Sequence, residues 1–170
     1  PSATKVPPPE ISPSAVLKEL RAFPRGPGPS VLRAQHLLDA LVSGEEDALA
    51  VRLAALVNWL SRGAAPVAAA PPLAGAGLIA LLKPNCKVRP IAVGEVVRRL
   101  VAKCMCSEVK STARAYLWPL QTGVAVPAGA EVVVHVLRDW AARHAHQGDR
   151  VLRKLDFRNA FNLDLHFGTF

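Results

Sequence analysis

The sequence predicts a mixed α/β (α+β) fold, rich in helix, with one basic β-hairpin and a strand near its C-terminal end. Three observations carry that prediction. Apolar residues recur at three and four over several stretches, two apolar runs flank a polar turn in "GLIALLKPNCKVRPIAVG", and side chains of "VLRKLDF" alternate between two faces. With 170 residues, 51% of them hydrophobic, there is ample material for a core.

The first 29 residues hold "VPPPE" early and "FPRGPGPS" late, so an extended, mobile chain is expected, with a helical turn or two at most over 15–23. Ser30 offers a side-chain oxygen to a helix start, and Val31, Leu32, His36, Leu37, Leu38, Leu41 and Val42 supply a face at the helical period, ended by Gly44. Glu45, Glu46 and Asp47 favour the N-terminus of a second helix through its dipole. Leu49, Leu53, Leu56, Val57 and Leu60 mark its buried stripe and Gly63 its stop. From Gly63 to Leu82 no residue is charged, which mimics a membrane span in length. Pro66, Pro71, Pro72, Gly75 and Gly77 interrupt it, so it reads as a loop running into a strand, and no membrane partner is expected.

The hairpin follows, its turn at Pro84 to Lys87 and its cations at the tip and on the return arm. A helix is expected from Glu95 to about Ala115, where Val96, Val97, Leu100, Val101, Cys104 and Met105 recur at three and four. Another spans Ala130 to His146, with Val133, Val136, Leu137, Trp140 and Ala141 as its apolar side. Gly148 and Asp149 turn into the terminal strand. The chain thus divides into a Pro-rich segment over 1–29, a helix and hairpin region over 30–115, and a helix and strand region over 116–170.

Charge narrows the partner. Lys and Arg outnumber Asp and Glu 21 to 13, for a net +8, which suits a polyanion or an anionic surface. The excess is local: residues 83–114 hold eight basic and two acidic side chains, and the rest of the chain is close to neutral. Cys86, Cys104 and Cys106 form no CxxC pair and leave an odd thiol, which fits a reducing, intracellular compartment. His144 and His146 have no cysteine or carboxylate cluster at ligand spacing, so no zinc site is expected.

Asp156 stands at the C-terminal end of its strand, where open α/β proteins place ligands and where a carboxylate can hold a divalent cation; an isolated aspartate there is more often a cap or turn residue. Its context is more specific. The series "LLKPNCKVRPIAVGEVVRRLVAK", "LQTGVAVPAGAEVVVHVL" and "VLRKLDFRNAFN", in that order and spacing, resembles the fingers and first palm segments of reverse transcriptases, most closely those of non-LTR retrotransposons. With "FPRGPGPSVLRAQHLLDAL" upstream, the resemblance spans residues 24 to 162.

That resemblance implies the fingers and partial palm of a right-hand polymerase, an RNA-directed DNA polymerase that moves nucleotidyl groups from dNTP to a primer 3′-hydroxyl with two Mg²⁺ (or Mn²⁺) ions. RNA template, DNA primer and dNTP are the partners implied, and a nuclear location with them. Asp156 corresponds to the first catalytic aspartate and metal ligand, and the carbonyl of Phe157 to a second, main-chain ligand. Phe161 corresponds to the aromatic under the sugar of the incoming nucleotide, excluding a 2′-hydroxyl by collision. Lys83 and Arg89, with Lys87 beside them, correspond to the residues that grip the β- and γ-phosphates. Arg98, Arg99 and Lys103 follow the template backbone or face water.

The resemblance stops at "NAFN". Leu163, Asp164, Leu165 and His166 depart from the family, and no [FY]-x-D-D motif follows to complete the metal site. Asp156 with a single carbonyl is too few oxygen donors for two magnesium ions, so this chain is expected to be an N-terminal fragment, inactive by itself. The alternative is a non-catalytic nucleic-acid-binding module that keeps the basic hairpin and helix.

Overall fold

A computed structural model describes residues 7–24, 26–41, 46–84 and 86–155. It contains α1 (Pro13–Arg21), α2 (Ala34–Leu41), α3 (Glu46–Ser61), a 3-10 turn (Val67–Ala69), α4 (Ala70–Ala74), β1 (Ala76–Leu82), β2 (Val88–Gly94), α5 (Val96–Leu117) and α6 (Gly129–His144). The class is mixed helix with a small antiparallel sheet. Two compact units divide after Ala125.

The first unit is built on α1, α3 and α5, which pack against one another, with α2 laid against α1 and α3. Its core joins Ile11, Val16, Leu20, Ala34, Leu41, Leu53, Ala54, Val57, Leu100 and Cys104. Within the Pro-rich start, the helical turn or two expected over 15–23 is the longer helix α1, packed into the core, and not part of an extended, mobile chain. Ser12 accepts the Ala15 amide at 3.2 Å as an N-cap, Pro13 opens the helix where no amide partner is needed, and Val16 and Leu20 are fully buried. Asn58 fixes the segment from α3: its side chain accepts the Ile11 amide at 2.8 Å and donates to the Ile11 carbonyl at 2.9 Å.

Three further expectations need correction. Ser30 does not cap α2, which starts at Ala34; Val31 takes a left-handed φ of 63°, and the Ser30 side chain turns to Glu95 instead. Along α3 the buried stripe is Ala50, Leu53, Ala54 and Val57, while Leu56 is exposed, because the small alanines let α1 and α5 approach closely. The uncharged run 63–82 is more than loop and strand, since Pro71 and Pro72 sit in the first turns of the short helix α4. Among the described residues no helix is long and apolar enough to cross a membrane. Gly44 and Glu45 lie outside the described residues.

The second unit is α6 and its flanks. Trp140 and His144 stack at 4.9 Å, and Arg143 pairs with Asp139 at 2.6 Å one turn away. Val133, Val136 and Leu137, expected as the buried side, are exposed. Residues 151–155 form no strand, because a strand needs a ladder partner and the only sheet among the described residues is β1–β2.

Candidate nucleotide and nucleic-acid interface

The hairpin forms where the sequence predicts it. Ala76 pairs with Gly94 at its root and Leu82 with Val88 at its tip, and the Lys83 amide donates to the Lys87 carbonyl at 2.8 Å to close the turn. Cys86 takes a left-handed φ of 58°, the conformation that glycine adopts most readily. Because Leu81 pairs with Arg89 and side chains alternate, Lys83, Lys87 and Arg89 fall on one face with Ile79, Leu81 and Ile91. Lys87 and Arg89 are exposed and Lys83 is half-buried. The opposite face, with Leu78, Leu82 and Val88, is also open.

The root of this hairpin is held from α5. Arg98 donates to the Ala74 carbonyl, just before β1, at 3.0 Å, and its guanidinium lies against Gly94 at the end of β2. Any side chain at Gly94 would collide with it. Arg98 thus ties both feet of the hairpin to the helix that follows.

Arg99, the next residue, and Lys103, about one turn further along, are engaged in the same manner. Arg99 donates to the Gly26 carbonyl, and Lys103 to the carbonyls of Glu19 at 3.2 Å and Ala22 at 2.7 Å. Lys103 also pairs with the Glu19 carboxylate at 3.3 Å, and both cations lie over the Phe23 ring, at 5.1 and 5.8 Å. Burial pushes the Glu19 carboxyl up, but hydrogen bonds from Ser107 and Lys103 outweigh it and hold it below the ordinary value. Lys103 satisfies carbonyls that end α1, as basic residues near a helix C-terminus do, and Arg99 holds the loop that follows it. In this structure Arg98, Arg99 and Lys103 are engaged by the chain's own carbonyls, while Arg98 is also exposed to solvent.

No family model, curated protein or solved structure matches the chain. The chemistry must come from the residues themselves. Asp156, Phe157 and Phe161 lie outside the described residues, so of the implied site the structure describes the cationic side only. Among the described residues no group of three or more His, Cys, Asp or Glu side chains could hold a metal ion.

Sequence reasoning missed the junction that orients the hairpin. Glu95, between β2 and α5, accepts the Ser30 amide and hydroxyl, each at 2.7 Å, and Gly28 packs against its backbone so closely that a Cβ there would sit 2.7 Å from the Glu95 Cα. A glycine before a buried acid far along the chain carries no local signal.

Proposed function

We propose that this chain is the fingers and partial palm of an RNA-directed DNA polymerase of the non-LTR retrotransposon type. One observation supports this most: Lys83, Lys87 and Arg89 share one face of a hairpin anchored at its root, where the resemblance expects the triphosphate to be gripped. Cations fixed on a rigid element stabilise the charge that develops on a transferring phosphoryl group. Asp156 would stand opposite them as the first catalytic carboxylate, and Phe161 would exclude the ribose 2′-hydroxyl.

The chain alone polymerises nothing, since Asp156 and the Phe157 carbonyl are too few oxygen donors for two magnesium ions. Primer extension on an RNA template with Mg²⁺ or Mn²⁺ is expected to give no incorporation. Nucleotide binding decides the class. The chain is expected to bind dTTP more tightly than UTP, to lose that preference in Phe161→Ala, and to lose both ligands in Lys83→Ala/Arg89→Ala. Equal affinity for the two nucleotides, unchanged by Phe161→Ala, would favour a non-catalytic nucleic-acid-binding module.

A further inference from the structure

The cations of α5 divide into two sets. Arg98, Arg99 and Lys103 in its first half are committed to carbonyls and to Glu19. The side chains of Lys110 and Arg114 in its second half make no hydrogen bond or ion pair among the described residues, and both residues are exposed. They line a cleft of about 680 Å³ between α1 and α5, with Lys18 from α1 and with Ser107, Ser111 and Trp118.

The stripe is regular. Positions 107, 110, 111, 114 and 118 recur at three and four, so they occupy one face of the helix and its C-cap over about 16 Å. Among the described residues no carboxylate lines the cleft. Glu19, the acid at its edge, is already matched by Lys103 and by the Ser107 hydroxyl. Trp118, half-exposed, presents an indole at the end of the cationic row.

We infer that this cleft binds single-stranded nucleic acid, with phosphates on Lys18, Lys110 and Arg114 and a base stacked on Trp118. A cationic groove that tracks a backbone, a hydroxyl that donates to phosphate oxygens, here that of Ser111, and an aromatic platform are the three parts such binding uses. A lipid surface is flat and would reach only the rim of a concave site. The cleft shares no residue with the hairpin, so this inference goes beyond the polymerase proposal and does not rest on it.

The test is fluorescence anisotropy of a labelled oligouridine with the full chain, measured over a series of salt concentrations. Lys110→Gln/Arg114→Gln is expected to weaken binding about tenfold and to make the log–log salt slope shallower by about 1.4, two phosphate contacts at roughly 0.7 each. Trp118→Ala is expected to weaken it by about tenfold and Trp118→Phe to restore most of the loss. Circular dichroism should be unchanged in all three, since these side chains lie outside the core. Wild-type affinity and slope in the double variant would overturn the inference, as would binding to phosphatidylserine vesicles without binding to oligouridine. If only Lys83→Gln/Arg89→Gln changes the slope, the cleft fails while the hairpin proposal stands. If nucleotide discrimination is absent but the cleft variants still lose RNA, the cleft stands alone.

Discussion

Ser30 and Glu95 meet across 65 residues of sequence, the amide and the hydroxyl of one serine each donating to a separate oxygen of one carboxylate at 2.7 Å. The Ser30 hydroxyl and amide hold the Glu95 carboxyl below its ordinary 4.5. A carboxyl that titrates lower in the folded chain stabilises it above 4.5, and that contribution is lost as pH falls through the folded value. Glu95→Gln is therefore expected to lower the melting temperature at neutral pH and to flatten the acid limb of the melting profile below about pH 4.5. Thermal melts of both chains across that range are the measurement, and an acid limb of equal depth in the variant would remove Glu95 as its source.

Gly28 makes a sharper demand on the same junction. A methyl group there would meet the Glu95 Cα at 2.7 Å and its carboxylate at 2.8 Å, so backbone must move. Overpacking of that kind costs about 1–3 kcal/mol. At Gly26, two residues earlier, a methyl group would enter open space with nothing within 4 Å, and Ala there should be neutral or slightly stabilising. Urea melts of Gly28→Ala and Gly26→Ala should differ accordingly; equal midpoints would show that the loop yields freely.

Arg98 holds the hairpin without belonging to it. Arg98→Met keeps the aliphatic stem and removes the donor to Ala74, which is expected to lower the opening free energy of the β1–β2 amides by about 1 kcal/mol. Hydrogen exchange should register this at the hairpin and leave the α1, α3 and α5 amides protected. Uniform loss of protection would mean that Arg98 supports the whole unit.

At Asn58 the expected loss is global. Asn58→Ala strips both partners from the backbone of Ile11, a buried residue, and leaving such groups unpaired costs about 1–3 kcal/mol. Asn58→Asp, which keeps only the acceptor, should retain the Ile11 amide bond and lose the carbonyl bond. Denaturant midpoints should rank wild type above both variants; a wild-type midpoint in Asn58→Ala would mean that water replaces the amide.

How much of this was legible follows from the range of each interaction. The hairpin and α5 were readable because period and turn chemistry are local, and the strands and helix lie where "LLKPNCKVRPIAVG" and Val96 to Met105 put them. Helix α1 was obscured by proline density, although Ser12 before Pro13, with Val16 and Leu20 four apart, is a local start signal that outweighs the prolines around it. Arg98, Arg99 and Lys103 could not be assigned because their acceptors lie 24, 73 and 84 residues away. Charge reports what a side chain can bind and leaves open what it does bind. Of the predicted site, the hairpin position of Lys83, Lys87 and Arg89 was legible from the turn, and Asp156, Phe157 and Phe161 lie outside the described residues.

The cysteines separate by environment. Cys104 sits in the core, and burial, with the nearby Glu19 charge, pushes its thiol up to about 11, so almost no thiolate exists near pH 8. Cys86 at the hairpin tip and Cys106 on α5 are exposed. Pulsed iodoacetamide followed by mass spectrometry is expected to label Cys86 and Cys106 in the folded chain, and Cys104 only when urea unfolds it. Because alkylation of Cys104 then reports opening of the α1, α3 and α5 core, its rate should rise in Asn58→Ala and Gly28→Ala by about the factor their stability loss predicts, tenfold per 1.4 kcal/mol. Labelling of Cys104 as fast as Cys106 in the folded wild type would show that the core does not close over it.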